Sequence, residues 1–170
     1  IVISSGSFNT VKGSCIGTDA GGTLDRGNGL GGVFVSGANN LIGGTGANQG
    51  NLISGNDEAG VHLSFAAATG NTVVGNLIGT NAAGTGAVPN GIGVFCDGGA
   101  SSNTIGGTAV GARNVISGNT TDGLRFFSGA NNNNVQGNFI GPNAAGTTAL
   151  GNLNNGVRLG GVTNNVIGGT

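Results

Sequence analysis

The stretch GNLIGTNAAGTGA, residues 75–87, decides the fold because it recurs in the chain. Related copies are GSCIGTDAGGTLD at 13–25 and GNFIGPNAAGTTA at 137–149, so the interval is 62 residues. Such a glycine- and threonine-rich stretch resembles a phosphate-binding loop. However, a Walker loop needs Gly-Lys-Ser/Thr at the start of a helix, and neither the lysine nor a helical pattern follows here. The fixed period instead indicates a repeat architecture.

A second, related unit lies between these copies. The segment NLIGGTGANQGNLISGNDEAGVHL (40–63) matches NTIGGTAVGARNVISGNTTDGLRF (103–126), and NVIGGT (165–170) begins another copy. The two unit types alternate, and each is about 31 residues long. Every unit opens with an asparagine, and these are Asn9, Asn40, Asn71, Asn103, Asn133 and Asn165.

Each unit carries three short apolar segments, and the third alternates apolar and polar positions, as in Val33/Val35 and Val61/Leu63. Alternation over so few residues is typical of strands with one buried face. Three strands per unit, repeated without helical spacing, predict stacked coils with continuous aliphatic ladders. The fold class is therefore a right-handed parallel β-helix (β-solenoid) of about five coils, with handedness taken from the parallel-crossover rule. It forms a single domain over residues 1–170.

Composition excludes several other classes. The chain has 170 residues, 40 of them glycine, but no Gly-X-Y period, which excludes collagen. Its slightly positive mean hydropathy argues against disorder. A net charge of −1 argues against nucleic acid and anionic membranes as partners, and no apolar run approaches the roughly 20 residues of a membrane span. No cofactor motif is present, so we expect no cofactor.

Recurrent Gly-Asn pairs precede the second strand, as in Gly50-Asn51, Gly75-Asn76 and Gly137-Asn138. Tight corners need left-handed backbone conformations, which glycine and asparagine adopt most easily. Stacked asparagines can also hydrogen-bond along the axis. We expect three residues of the long loops to cover the outward apolar residues of the second strand, and these are Leu24, Val88 and Leu150.

These motifs resemble the right-handed parallel β-helix repeat proteins of large bacterial secreted and surface proteins. The resemblance rests on NTIGGT, on ARNVISGN, on GNLIGT and GNFIGP followed by NAAGT, and on the alternating apolar residues of the third segment that closes each unit. It covers essentially the whole chain. It implies an extracellular or bacterial cell-surface, rod-like segment of a longer protein. It implies no single activity, because β-helices host enzymes, adhesins and passive stalks.

The outward column of the third strand is the candidate binding surface. It consists of Phe34, His62, Phe95, Arg125 and Arg158, with Asp97 and Phe127 one outward step further along. Aromatic rings beside arginine and aspartate can stack on a sugar and hydrogen-bond it. The column lacks the set of acids that a β-helix lyase would use. The alternative to sugar binding is that this face contacts another chain. We therefore expect no catalytic residues.

The other chemistry-bearing residues are expected to be structural. The acids, including Asp57, Glu58 and Asp122, are interpreted as solvated turn residues that form no cluster on one face. No Cys/His spacing indicates a metal site. Cys96 is expected to be a buried free thiol and Cys15 to be covered by a loop. An ice-binding face is a remote alternative, because threonine is not continuous in the outward column of the first strand.

The function predicted from the sequence is structural: a rigid stalk, fibre or adhesin segment outside the cell. The chain starts and ends inside the repeat, so we expect a piece of a longer array that stacks end to end or on flanking coils. The alternative is a polysaccharide-binding or polysaccharide-degrading β-helix that uses the third-strand column.

Overall fold

A computed structural model describes residues 1–169. The described residues form seventeen strands in three parallel sheets and contain no helix, hence none long and apolar enough to cross a bilayer. The first sheet contains β2 (Thr10–Val11), β5 (Leu41–Gly43), β8 (Thr72–Val74), β11 (Thr104–Gly106), β14 (Asn134–Gln136) and β17 (Val166–Ile167). The second contains β3 (Cys15–Ile16), β6 (Leu52–Ile53), β9 (Leu77–Ile78), β12 (Val115–Ile116) and β15 (Phe139–Ile140). The third contains β1 (Val2–Ile3), β4 (Val33–Val35), β7 (Ala59–Ser64), β10 (Ile92–Asp97), β13 (Leu124–Phe126) and β16 (Val157–Leu159).

Each inner strand pairs with the strand three places earlier and the strand three places later in the chain, and each end strand pairs with one of these, so successive coils stack in register. In the first sheet Ile42 pairs with Val73, and in the second Ile53 pairs with Ile78. These aliphatic side chains point inwards and are fully buried. The predicted fold class is confirmed: a parallel β-solenoid of about five coils with three strands per coil.

Asparagine ladders hold the coils together. In the first ladder, the side-chain amide of each asparagine donates to the side-chain oxygen of the asparagine one coil further on, at 3.0–3.1 Å. Its members are the six asparagines that open the units: Asn9, Asn40, Asn71, Asn103, Asn133 and Asn165. The amide also donates to a backbone carbonyl, as Asn71 does to Gly37. The ladder therefore satisfies polar groups that the corner buries.

Two further ladders run along the other corners. The second contains Asn51, Asn76 and Asn138, which belong to the Gly-Asn pairs, and Asn114, which follows Arg113. The third, which sequence inspection missed, contains Asn28, Asn56, Asn90, Asn119 and Asn152. Stacked asparagines along the axis were predicted for the corner before the second strand, and the second ladder confirms them.

The glycines of the Gly-Asn corners serve two different purposes. Gly75 and Gly137 have φ values of 72° and 65°, as the left-handed corner predicts. Gly50 does not need a left-handed conformation. A Cβ added to Gly50 would lie 1.9 Å from the carbonyl oxygen of Gly75, so close approach of two coils excludes a side chain there.

The expected covering role of the long loops is only partly correct. Val88 is buried, but Leu24 is 54% exposed. The backbone covers the second sheet at this point instead, because a Cβ added to Gly22 would lie 2.6 Å from Cδ2 of Leu52. Cys15 is exposed rather than loop-covered, whereas Cys96 is buried and free, as predicted. Burial raises the pKa of the Cys96 thiol far above its ordinary value.

Candidate functional site

The third sheet presents the predicted column in register. Phe34 pairs with His62, His62 with Phe95, Phe95 with Arg125 and Arg125 with Arg158. The neighbouring positions in these strands, such as Val61 and Leu63, are fully buried, so strand alternation turns the column outwards. The two central strands, β7 and β10, are six residues long, the longest in the described chain, and they provide the widest platform.

Four rings on the outer face of the third sheet and just beyond the end of β7 pack in a row. The His62 ring is stacked on Phe95, with 4.7 Å between centroids and 19° between planes. Phe34 meets His62 edge to face at 5.3 Å, and Phe65 meets Phe34 edge to face at 6.3 Å. We call Phe34, His62, Phe65 and Phe95 the aromatic ridge. Phe65 was not a predicted site residue.

Asp97 is a shared acceptor beside the ridge. Its Oδ1 lies 3.0 Å from Nε2 of His62 and accepts a hydrogen bond of 2.5 Å from Oγ of Ser64. In a Ser-His-Asp triad the histidine would lie between serine and aspartate and take the serine proton. Here the carboxylate lies between the other two side chains, so the arrangement orients His62 and does not activate Ser64. Sequence reasoning missed Ser64, although Ser64 is the strand-pairing partner of the predicted residue Asp97 one coil earlier.

Asp122 contradicts the expectation that the acids are solvated turn residues. Its side chain is fully buried, and it accepts hydrogen bonds from Nε of Arg125 and from the backbone and side chain of Asn155. Burial raises the pKa of Asp122, but the hydrogen bonds from Asn155 and Arg125 and the Arg125 charge outweigh it and leave the pKa below its ordinary value. A signal was present in the sequence: when the repeats are aligned, Asp122 takes the place of the buried Ala59.

A cleft of about 350 Å³ opens beside the ridge. We call it the third-sheet cleft, and it is lined by Asp57, Glu58, Ala59, His62, Gly91, Ile92, Phe95, Thr121 and Arg125. Asp57 and Glu58 are the two acids that line it. The corner between β6 and β7 leads directly into β7, and this places Asp57 and Glu58 in the same cleft as His62 and Arg125.

The last two predicted residues form a separate pair. Cζ of Arg158 lies 5.1 Å from the centroid of Phe127, within the range of a cation–π contact. Neither residue lines the third-sheet cleft. The structure therefore brings together Phe34, His62, Phe95, Asp97 and Arg125. It places Phe127, in the coil of Arg125, and Arg158, one coil further on, outside this group.

A larger cavity, of about 600 Å³, lies at the corner between the first and second sheets. Its walls are mostly glycine and small residues, and they include Cys15, Leu52 and Leu77 but no charged side chain. The cavity could therefore enclose a ligand but has no charged side chain with which to bind one. Within residues 1–169, no three histidine, cysteine, aspartate or glutamate side chains come together as a metal site.

The third-sheet cleft can hold a ring against an aromatic floor and surround it with carboxylate, hydroxyl and guanidinium groups. Its volume lies at the lower end of the range of small-molecule sites, about 300–1,000 Å³. Comparisons with protein-family models, with curated proteins and with solved structures gave no match to this chain. What the structure itself establishes is the architecture, a parallel β-helix repeat protein of about five coils.

Proposed function

We propose that this chain is a rigid structural segment, a rod-like part of an extracellular stalk, fibre or adhesin. The observation that supports it most is the continuity of the asparagine ladders, which join successive coils at all three corners. Strand pairing joins the same coils on all three faces, so no coil boundary is left free to act as a hinge. A composition with only 6% charged residues also suits a repeated assembly element better than a freely diffusing enzyme.

A distance measurement between spin labels tests this rigidity. Labels at Val2→Cys and Arg158→Cys, in a Cys15→Ser background, mark the two ends of the third sheet, where five pairings separate β1 from β16. At about 4.8 Å per pairing the expected separation is roughly 24 Å. We expect one narrow distance distribution at that value, broadened only by the label linkers. A broad distribution that reaches far beyond it would show independent motion of the coils and contradict a rigid segment.

The third-sheet cleft favours a second candidate, contact with a polysaccharide. A stacked His62–Phe95 pair beside polar groups is the kind of floor on which a sugar ring packs. Arg125→Ala is a poor test, because it would leave the buried carboxylate of Asp122 without its cation and so weaken the fold itself. Phe95 is the better position, since its ring is only partly buried on the outer face.

We expect Phe95→Ala to weaken glycan binding roughly three- to tenfold, the range of one lost aromatic contact. The measurement is a glycan array followed by titration of the glycans that bind. Phe139→Ala is the matched control, because Phe139 is also a partly buried phenylalanine beside an arginine, but it lies on the second sheet. Equal losses in both variants, or no glycan bound by the parent chain, would contradict this second candidate.

A further inference from the structure

Phe65 has a backbone conformation that a phenylalanine rarely adopts. Its φ is 73°, in the left-handed region, where bulky side chains are strained. Strand register identifies the equivalent residues of other coils as Ser5, Gly37, Gly98, Ser128 and Gly161, and all of these except Gly37 have positive φ as well. They are all small. Phe65 is therefore the one large side chain at this position among those coils.

Packing does not account for Phe65. The side chain is 59% exposed, and its ring contact in the structure is with Phe34, itself on the outer face. An exposed apolar side chain on a strained backbone costs stability, and strain of this kind is concentrated at binding sites. The ring extends the aromatic ridge away from the third-sheet cleft, so that the ridge and cleft form one surface running from Phe65 through Phe34 and His62 to Phe95.

The charge of this surface is negative. The cation in the cleft, Arg125, is neutralised by Asp122, and His62 is paired with Asp97. Asp57 and Glu58 are exposed, and neither side chain makes an ion pair or a hydrogen bond within the described part of the chain. Arg158 lies over Phe127, outside the cleft. Two uncompensated carboxylates therefore stand beside an aromatic floor.

We propose that the aromatic ridge and the third-sheet cleft bind a polysaccharide that contains positively charged amino sugars, such as a chain of β-linked glucosamine. The proposal rests on the polysaccharide candidate above and specifies its ligand. Aromatic rings stack on the apolar faces of sugar rings, which selects a polysaccharide. Asp57 and Glu58 attract protonated amino groups and repel uronic acids, which selects the charge.

Two oligosaccharides with the same backbone isolate the charge. A glucosamine hexamer and an N-acetylglucosamine hexamer differ only in acetylation of the amines, which removes the positive charge. At pH about 6 and low salt, we expect the glucosamine hexamer to bind about fivefold more tightly, as two exposed ion pairs would provide. A few hundred millimolar salt should remove this preference. An oligogalacturonate of the same length should bind more weakly than either hexamer.

Two variants separate the contributions of charge and ring. In the double variant Asp57→Asn/Glu58→Gln, we expect the two hexamers to bind equally, with affinity for the acetylated one unchanged. In Phe65→Gly, which introduces the residue found at 98 and 161, both hexamers should bind roughly three- to tenfold more weakly. Its Tm should equal or exceed that of the parent chain, because glycine relieves the left-handed strain. A loss of binding in this variant is therefore not a loss of folding.

Phe8→Asn is the matched control. Phe8 is 79% exposed with φ of 61°, at a position where other coils have asparagine, including Asn39 and Asn132 with φ values of 56° and 57°. The described rings show no contact between Phe8 and the aromatic ridge. This variant should gain the same strain relief and bind both hexamers normally.

The outcomes separate this inference from the candidate on which it rests. If both hexamers bind equally to the parent chain, or the oligogalacturonate binds best, the assignment to amino sugars is overturned and polysaccharide contact stands. If Phe65→Gly binds like the parent chain, the ridge beyond the cleft is not part of the site and the proposal fails for Phe65. If no oligosaccharide binds, both ideas are overturned.

Discussion

Replacing Asn76 by alanine is expected to lower the free energy of unfolding by about 3–5 kcal/mol, because several buried polar groups lose their partners together. Asn76 is fully buried in the middle of the second ladder. Its side-chain oxygen accepts from the backbone and the side chain of Asn51, and its amide donates to the carbonyl of Ile42 and to the side chain of Asn114, at 2.9–3.0 Å. Urea denaturation followed by circular dichroism measures the change.

The control for this variant is Asn154→Ala. Asn154 is exposed, and within residues 1–169 its one hydrogen bond runs from its backbone amide to the carbonyl of Thr121, which alanine retains. We expect a change within about 0.5 kcal/mol. If Asn76→Ala were as mild as Asn154→Ala, the ladder would not contribute to the cohesion of the coils.

Replacing Phe126 by alanine has a comparable expected effect, a loss of about 3–5 kcal/mol, because it leaves a cavity as well as removing buried apolar surface. Phe126 is the largest fully buried side chain of the core. It lies in the inward ladder of the third sheet between Cys96 and Leu159. The same urea titration provides the measurement.

Phe127→Ala is the matched control, since the adjacent phenylalanine is only partly buried and packs beside Arg158 on the outside. We expect it to cost less than half as much as Phe126→Ala. Phe126→Leu should cost less than about 1.5 kcal/mol, because leucine already occupies this ladder at positions 63 and 159. Equal losses at 126 and 127 would mean that the inward and outward faces of β13 are assigned wrongly.

The fold followed from the sequence because period and alternation are properties of the whole array. The interval of 62 residues located every coil, and alternation at Val33/Val35 and Val61/Leu63 identified the buried face. The asparagines of the first ladder were visible in the sequence, although their stacking was not predicted, because they are evenly spaced, 30 to 32 residues apart. The third was missed because the inserted residues switch corners, so Asn56 and Asn90 are 34 residues apart but Asn90 and Asn119 only 29.

The candidate site was predicted only in part, since its column follows from register but its chemistry depends on side-chain geometry. Register placed His62 beside Phe95, and the structure confirms that. The burial of Asp122 depends on a partner, Asn155, that lies a full coil away. The ring of Phe65 joins the ridge only because the backbone at that residue is left-handed, which residue preferences do not predict for a phenylalanine.

Hydrogen exchange of the asparagine side chains tests the central claim, that buried ladders join the coils into one rigid body, most directly. In a spectrum with assigned Nδ2 groups, the amide protons of Asn76, Asn90 and Asn103 should exchange orders of magnitude more slowly than those of the exposed Asn154. Protection should be similar in all three ladders, because the coils open together. Exchange of the ladder amides as fast as that of Asn154 would contradict the account.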